Sequence, residues 1–216
     1  MDAATWDARY ADTELVWSRG PNRFVVEEVE GLAPGRALDL AGGEGRNAVW
    51  LAQQGWDVEL VEFSQVALDK AAMLAEAADV TITSTLADLT AGPSLAPADL
   101  VVVAYLQLPR EASRAATRHA ATLVAPGGTL LVVAHARRNL EDGIGGPPDP
   151  EVLRTPGEVR DDLRGSNLTT VKAQEVVRPV ITDAGERHAI DLLVRAQRPV
   201  VDAEEPAPSS PTLPRR

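Results

Sequence analysis

The amino-acid sequence predicts an α/β fold built on a doubly wound, mostly parallel sheet of seven strands that ends in an antiparallel hairpin. Three observations lead to this prediction. Residues 36–40 form a short apolar run, which glycines separate from apolar residues at helical spacing. Residues 98–105 have the composition of a parallel strand buried on both faces. The predicted strands 169–179 and 187–195 are joined by too few residues for a crossover helix, so they must be antiparallel.

The chain of 216 residues is long enough for one α/β domain with appendages, but short for two. We place the domain at residues 31–198. Residues 1–30 precede the first predicted strand and are interpreted as a helical segment. Residues 199–216 carry repeated prolines among Ala, Glu and Ser and cannot bury much surface, which predicts a disordered, proline-rich tail.

Charge and composition narrow the classes of partner. Lys and Arg number 21 against 32 Asp and Glu, a formal net charge of −11, and no segment concentrates the basic residues. This argues against nucleic acid or an anionic membrane as a partner. The sequence has no cysteine and three widely spaced histidines, so we expect no disulfide and no metal site. The longest apolar run is too short to cross a bilayer, and we expect a soluble, cytoplasmic monomer or weak dimer.

The first half of the chain alternates helices and strands. Trp6, Tyr10 and Trp17 could pack an N-terminal helix against the sheet, and Asn22 suits the N-cap of a helix at 23–29. A helix over 46–54 ends at a glycine and is followed by a strand at 57–62. Ser64 then caps a helix that runs to residue 78, and a strand is predicted at 80–86.

The second half continues this alternation and then departs from it. A helix begins at Pro109 and continues to Val124, where the Pro-Gly-Gly at 126–128 breaks it, and the strand 129–134 leads to His135. Residues 136–154 form a long, polar, Gly- and Pro-rich connection, which we interpret as a cover on the acceptor side of the site. Thr155 and Glu158 have the spacing of a helix capping box.

The glycine turn at 42–45 is typical of a nucleotide site. Glycines allow a ligand to approach the backbone, and the N–H groups of the following helix then face it. A dinucleotide motif, Gly-x-Gly-x-x-Gly, placed on Ala41, Gly43 and Arg46 keeps only its middle glycine. Glu44 would also place a carboxylate near the two phosphates. An adenosyl ligand without phosphates therefore fits the turn better.

Residues 39–47, Asp-Leu-Ala-Gly-Gly-Glu-Gly-Arg-Asn, resemble the first motif of class I S-adenosylmethionine-dependent methyltransferases, (Asp/Glu)-x-Gly-x-Gly-x-Gly. Ala41 stands at the first glycine. The Gly-x-Gly-Arg-Asn ending is most similar to the tellurite-resistance and thiopurine methyltransferase-like branch. The resemblance implies the Rossmann-like fold of class I methyltransferases, S-adenosyl-L-methionine as cofactor and a small-molecule methyl acceptor. It also implies that the N-terminal segment, 1–30, is a lid over the cofactor.

The resemblance and the motif spacing together predict the site. The predicted cofactor-binding residues are Trp17, Arg19, Asn22, Ala41, Gly42, Gly43, Arg46, Glu62, Phe63, Ser64, Asp88, Leu89, Ala104, Tyr105 and Leu106. Glu62 follows Gly42 by twenty residues, the interval at which a carboxylate meets ribose hydroxyls, although a solvated acid at a strand end is the alternative. The resemblance implies that Asp88 accepts a hydrogen bond from the adenine amino group. The alternative is an aspartate that only caps a loop. Arg19 and Asn22 would reach the methionyl carboxylate, although Asn22 also suits a helix cap.

His135 and Tyr105 are the predicted catalytic residues. An acceptor that is still protonated needs a general base, and a histidine with the ordinary pKa of about 6.5 can serve at neutral pH. A hydrogen-bonded structural histidine is the alternative. The predicted function is in-line methyl transfer in a closed pocket to a small acceptor, a thiol, hydroxyl or chalcogen oxyanion. A non-catalytic adenosyl-binding or regulatory protein is the main alternative, and an NAD-dependent enzyme is the third.

Overall fold

Seven strands form one sheet in a computed structural model that describes residues 3–13, 15–16, 20–183 and 185–200. The strands are β1 (Arg36–Leu40), β2 (Asp57–Glu62), β3 (Thr83–Leu86), β4 (Ala98–Ala104), β5 (Val124–His135), β6 (Thr169–Thr182) and β7 (Gly185–Gln197). Their order in the sheet is β3-β2-β1-β4-β5-β7-β6. The helices are α1 (Ala3–Ala11), α2 (Arg23–Val29), α3 (Arg46–Gln53), α4 (Gln65–Ala77), α5 (Arg110–Thr122), α6 (Asn139–Asp142) and α7 (Pro156–Asp162).

The strand directions confirm the predicted fold class. The pairs β1–β2, β1–β4, β2–β3 and β4–β5 are parallel, whereas β7 pairs antiparallel with both β5 and β6. The hairpin of β6 and β7 inserts β7 beside β5, and β6 forms the edge. Strand order reverses between β1 and β4, and ligands of doubly wound sheets bind beyond the carboxyl ends of the strands at such a switch point.

Two strands begin three or more residues away from the predicted position, and backbone hydrogen bonding accounts for both differences. β5 begins at Val124 and not at residue 129, because Ala98 pairs with Val124 and a bulge removes the Pro-Gly-Gly segment from the register before Leu100 pairs with Thr129. β3 begins at Thr83 and not at residue 80, because the N–H of Val80 donates to the carbonyl of Ala75 and completes the end of α4.

Alternation along β1 divides the core between the two faces of the sheet. Leu38 and Leu40 pack on the face that carries α5, whereas Ala37 packs with α3, α4 and α2 on the other face. All three side chains are fully buried, as expected for a parallel strand covered on both sides. The central strand therefore holds the glycine turn that follows it in a rigid position.

The N-terminal segment is attached to the domain near this turn. Both carboxylate oxygens of Glu44 accept from the N–H of Val16, and Lys70 donates to Glu44 and to the carbonyls of Tyr10 and Thr13. Glu44 thus binds the N-terminal segment instead of facing a ligand, which differs from the role expected from sequence. The predicted tail at 199–216 lies outside the described residues from residue 201 onward.

Candidate active site

A cavity of 430 Å³ opens at the carboxyl ends of β1, β2 and β4. The predicted residues that line it are Asn22, Ala41, Gly42, Gly43, Arg46, Glu62, Phe63, Asp88, Leu89, Ala104, Tyr105, Leu106 and His135. The volume is that of a small-molecule site. The switch point of the sheet, the glycine turn and the two predicted catalytic residues therefore meet at one place.

Each glycine of the turn has its own structural reason. A Cβ on Gly42 would lie 2.4 Å from the Leu60 side chain and 2.6 Å from the Asp39 carboxylate, and one on Gly45 would lie 2.8 Å from Ala71. Gly43 has a φ of 58° and lines the cavity. Ala41 also has a positive φ, 53°, a conformation that costs a residue with a Cβ about 1 kcal/mol or more. The turn is thus held in a strained form against the cavity.

Glu62 presents a buried carboxylate to the cavity. Its Oε2 accepts from the N–H of Gly43, and its Oε1 accepts from the N–H groups of Phe63 and Ser64, each at 3.0 Å. Burial raises the pKa of Glu62, and these three backbone hydrogen bonds oppose the rise. The three bonds orient the carboxylate and lock the end of β2 to the glycine turn.

Asp39 is a second acid next to the turn, and it is fully buried. Burial raises its pKa from 3.8 to about 7, against the opposing effects of the Ala48 N–H and the Arg46 guanidinium. A carboxyl group without water is stable mainly in its neutral form. Asp39 therefore titrates near neutral pH in the folded protein.

Polar side chains also meet at the other end of the cavity, around Asp191. Its carboxylate accepts from the Tyr105 hydroxyl at 2.8 Å and from Arg178 Nε at 2.7 Å, and Nδ1 of His135 lies 3.0 Å from it. The Tyr105 hydroxyl in turn accepts from Asn22 Nδ2 at 3.1 Å. Burial and the Asp191 charge raise the pKa of Tyr105, so this phenol is a neutral hydrogen-bond donor at physiological pH.

Some predicted residues lie elsewhere or have a second role. Ser64 is buried and caps α4, where its Oγ accepts from the Ala67 N–H and donates to Asp7. Asn22 lines the cavity and is also the N-cap of α2. Asp88 lines the cavity and accepts from the N–H of Thr90. Trp17 and Arg19 lie outside the described residues.

The sequence did not indicate Arg178, Pro179, Asn47 or Asp191. Arg178 and Pro179 line the cavity because the hairpin of β6 and β7 extends past the end of β5. Asp191 lies opposite His135 in the antiparallel register of β5 and β7. The one sequence feature that could have indicated them is a charged residue within each of the last two predicted strands, Arg178 and Asp191.

Among the described residues, no three His, Cys, Asp or Glu side chains are grouped so that they could hold a metal ion. None of the helices there has the length and apolar character needed to span a bilayer.

Part of the chain matches a known protein family. Residues 37–128 match a family model described as a methyltransferase domain. This segment includes the glycine turn, Glu62 and β4. No curated protein matches the chain in sequence.

Solved structures match over 82% to 94% of the chain. A structure described as the conversion of a disulfide bond into a thioacetal group during echinomycin biosynthesis matches with a TM-score of 0.74 at 20% identity, over 94% of this chain and 93% of that one. TehB from Haemophilus influenzae matches with a TM-score of 0.69 at 20% identity, over 82% and 62%. Magnesium protoporphyrin IX methyltransferase from Synechocystis PCC 6803, with bound SAH, matches with a TM-score of 0.65 at 20% identity, over 82% and 80%.

The matched segment and the strand order agree. The chain has the Rossmann-like fold of class I methyltransferases, and its residues 37–128 match a methyltransferase domain. The cavity at its switch point is the place where that fold binds ligands.

Proposed function

We propose that this methyltransferase uses S-adenosyl-L-methionine and transfers the methyl group in line to a small-molecule acceptor inside a closed pocket. The observation that supports this most directly is the Glu62 carboxylate, which is 3% exposed, lines the cavity and is held beside the glycine turn by three backbone N–H groups. A carboxylate in that position can accept hydrogen bonds from two vicinal ribose hydroxyls.

The walls beside Glu62 fit an adenine ring. Phe63, Ala87 and Leu89 supply apolar surface on the adjoining part of the cavity, and Asp88 lies among them. At the other side of the turn, Arg46 and Asn22 are the groups present to bind a methionyl carboxylate. The chain's own residues therefore fit each polar part of the cofactor.

The turn does not suit a pyrophosphate. The N–H of Gly43, which would cradle a phosphate, already donates to Glu62 Oε2 at 3.0 Å. The Glu62 charge would also oppose two phosphates at that position. This supports a phosphate-free nucleoside ligand over NAD, and the acid responsible is Glu62 instead of Glu44.

The N-terminal segment fits the role of a lid. Trp6 and Tyr10 line the cavity, and α1 is held to the domain through Asp7 on Ser64 and Lys70 on the Tyr10 carbonyl. Aromatic side chains at that position would cover the cofactor and exclude water from the reaction.

When bound, the cofactor supplies both the electrophilic methyl group and its leaving group, so the protein contributes mainly alignment. Tyr105, Leu106 and His135 lie where an acceptor would approach. The finer assignment to the tellurite-resistance and thiopurine methyltransferase-like branch rests on the Gly-x-Gly-Arg-Asn sequence at 43–47, and TehB is among the structures that share the fold.

The test is turnover with a panel of acceptors. We expect formation of S-adenosylhomocysteine when the full chain is incubated with S-adenosylmethionine and small thiols, hydroxyl compounds or oxyanions of tellurium and selenium. The proposal is supported if one class of acceptor raises the rate of S-adenosylhomocysteine formation well above the rate measured without acceptor. Tight binding of the cofactor without turnover on any acceptor would instead indicate an adenosyl-binding or regulatory protein.

A further inference from the structure

A buried ion pair fastens the N-terminal segment to the glycine turn. The Glu44 side chain is 2% exposed, and its two oxygens lie 3.1 and 3.0 Å from the N–H of Val16. Lys70 of α4 donates to Glu44 Oε1 at 3.1 Å and to the carbonyls of Tyr10 and Thr13 at 2.5 and 2.6 Å. An ammonium group has three N–H donors, so these three acceptors use all of them. The N-terminal segment, α4 and the turn therefore meet at one ammonium group.

Little apolar surface holds α1 in place. Of its nine residues, only Tyr10 is buried. The Trp6 ring lies 5.4 Å from the Tyr10 ring between centroids, and both side chains line the cavity. A helix with one buried side chain gains little from the hydrophobic effect, so its polar attachments decide how firmly it is held.

We propose that Lys70 and Glu44 are positioning residues that latch the N-terminal segment over the cofactor, so that a bound cofactor leaves only after this ion pair has separated. The inference rests on the proposed function, in which Trp6 and Tyr10 cover the cofactor. Removal of Lys70 leaves the Glu44 carboxylate buried without its cation, which strongly disfavours the closed arrangement. In the open arrangement water solvates the carboxylate, so the same change costs little there.

The attachments of the segment adjoin the carboxylate that we assign to the ribose. Gly43, which precedes Glu44, donates its N–H to Glu62 Oε2 at 3.0 Å. Ser64 donates its N–H to Glu62 Oε1 and its hydroxyl to Asp7 of α1. A ligand on this carboxylate also contacts the closed segment, so it favours closing. By reciprocity, closing strengthens the binding of that ligand.

The first test measures the latch in the free protein by amide hydrogen exchange. Because the Val16 N–H donates to the buried Glu44 carboxylate, we expect it to exchange at least about 100-fold more slowly than an unprotected amide. K70M should raise this rate about 10-fold or more, since it destabilises the closed arrangement. D69N, at the exposed neighbouring position on α4, should leave it unchanged. An unprotected Val16 amide in the wild-type protein overturns the inference even if K70M does not fold.

The second test measures the release of S-adenosylhomocysteine from the full chain by stopped-flow tryptophan fluorescence, because Trp6 lines the cavity. We expect K70M and E44Q each to raise the dissociation rate about 10-fold or more, and D69N to leave it unchanged. The double variant should release the ligand no faster than the faster single variant, since both substitutions break one pair.

The outcomes separate the latch from the proposed function. Wild-type dissociation rates in K70M and E44Q contradict the inference and leave the proposed function intact. Additive increases in the double variant also contradict it, because they would show two independent effects. Failure of the wild-type protein to bind S-adenosylhomocysteine contradicts the proposed function itself, and the role of the latch with it.

Discussion

G42A is expected to destabilise the folded protein by about 3 kcal/mol or more, at the upper end of the cost of overpacking a core. The added Cβ would meet the side chains of Leu60 and Asp39 at 2.4 and 2.6 Å. Both side chains are fully buried in adjacent strands, so neither can move without disturbing β1 or β2. Urea unfolding followed by circular dichroism measures the free energy of unfolding directly.

The matched control is G157A, near the start of α7. The Cβ there meets only the Thr155 hydroxyl at 3.9 Å, and alanine is the better helix former, so stability should be unchanged or rise by up to about 1 kcal/mol. If G42A and G157A unfolded at the same urea concentration, the account of Gly42 as closely packed against Asp39 would be contradicted.

D39N is expected to remove a pH-dependent loss of stability between about pH 4 and pH 7. The pKa of Asp39 is raised from 3.8 to about 7 by burial. Below both values the carboxyl is protonated in the folded and the unfolded chain, and it contributes no penalty. As the pH rises above about 4, the unfolded chain loses this proton first, so the folded state loses up to about 4 kcal/mol by pH 7 and the loss is constant above that.

The measurement is the difference in unfolding free energy between D39N and the wild type across this pH range, which cancels the titration of every other group that the two proteins share. The unfolding free energy of D39N should increase relative to that of the wild type as the pH rises. D57N, at an exposed position at the start of β2, should run parallel to the wild type. A flat difference for D39N would show that Asp39 is already ionised in the folded protein at low pH.

The local features of the fold could be predicted from the sequence because neighbouring residues determine them. Asn22 caps α2, Ser64 caps α4, and Thr155 forms a complete capping box with Glu158, each as its side-chain chemistry predicts. The antiparallel pairing of the last two strands followed from the shortness of the turn between them. These inferences need no knowledge of distant contacts.

The groups at the acceptor end could not be predicted, because long-range register brings them together. Asp191 and Tyr105 are 86 residues apart in sequence. They come into contact because β7 inserts beside β5. Gly146 could be identified as part of a cover, but not as a glycine at which a Cβ would lie 3.0 Å from the His135 ring. From the sequence, the Glu44 carboxylate was expected near the ligand. It binds the Val16 N–H and Lys70 instead, because the sequence does not show that the N-terminal segment returns to the turn.

The central claim is that the cavity binds S-adenosylmethionine through Glu62. Titration calorimetry on the wild-type protein should give dissociation constants of about 1 to 100 µM for S-adenosylmethionine and S-adenosylhomocysteine, and no measurable binding of NAD. E62Q should weaken both affinities about 10- to 100-fold, since it weakens hydrogen bonds to a charged group, and E76Q, at an exposed position on α4, should not. Unchanged affinity in E62Q, or tighter binding of NAD than of S-adenosylmethionine, would contradict the claim.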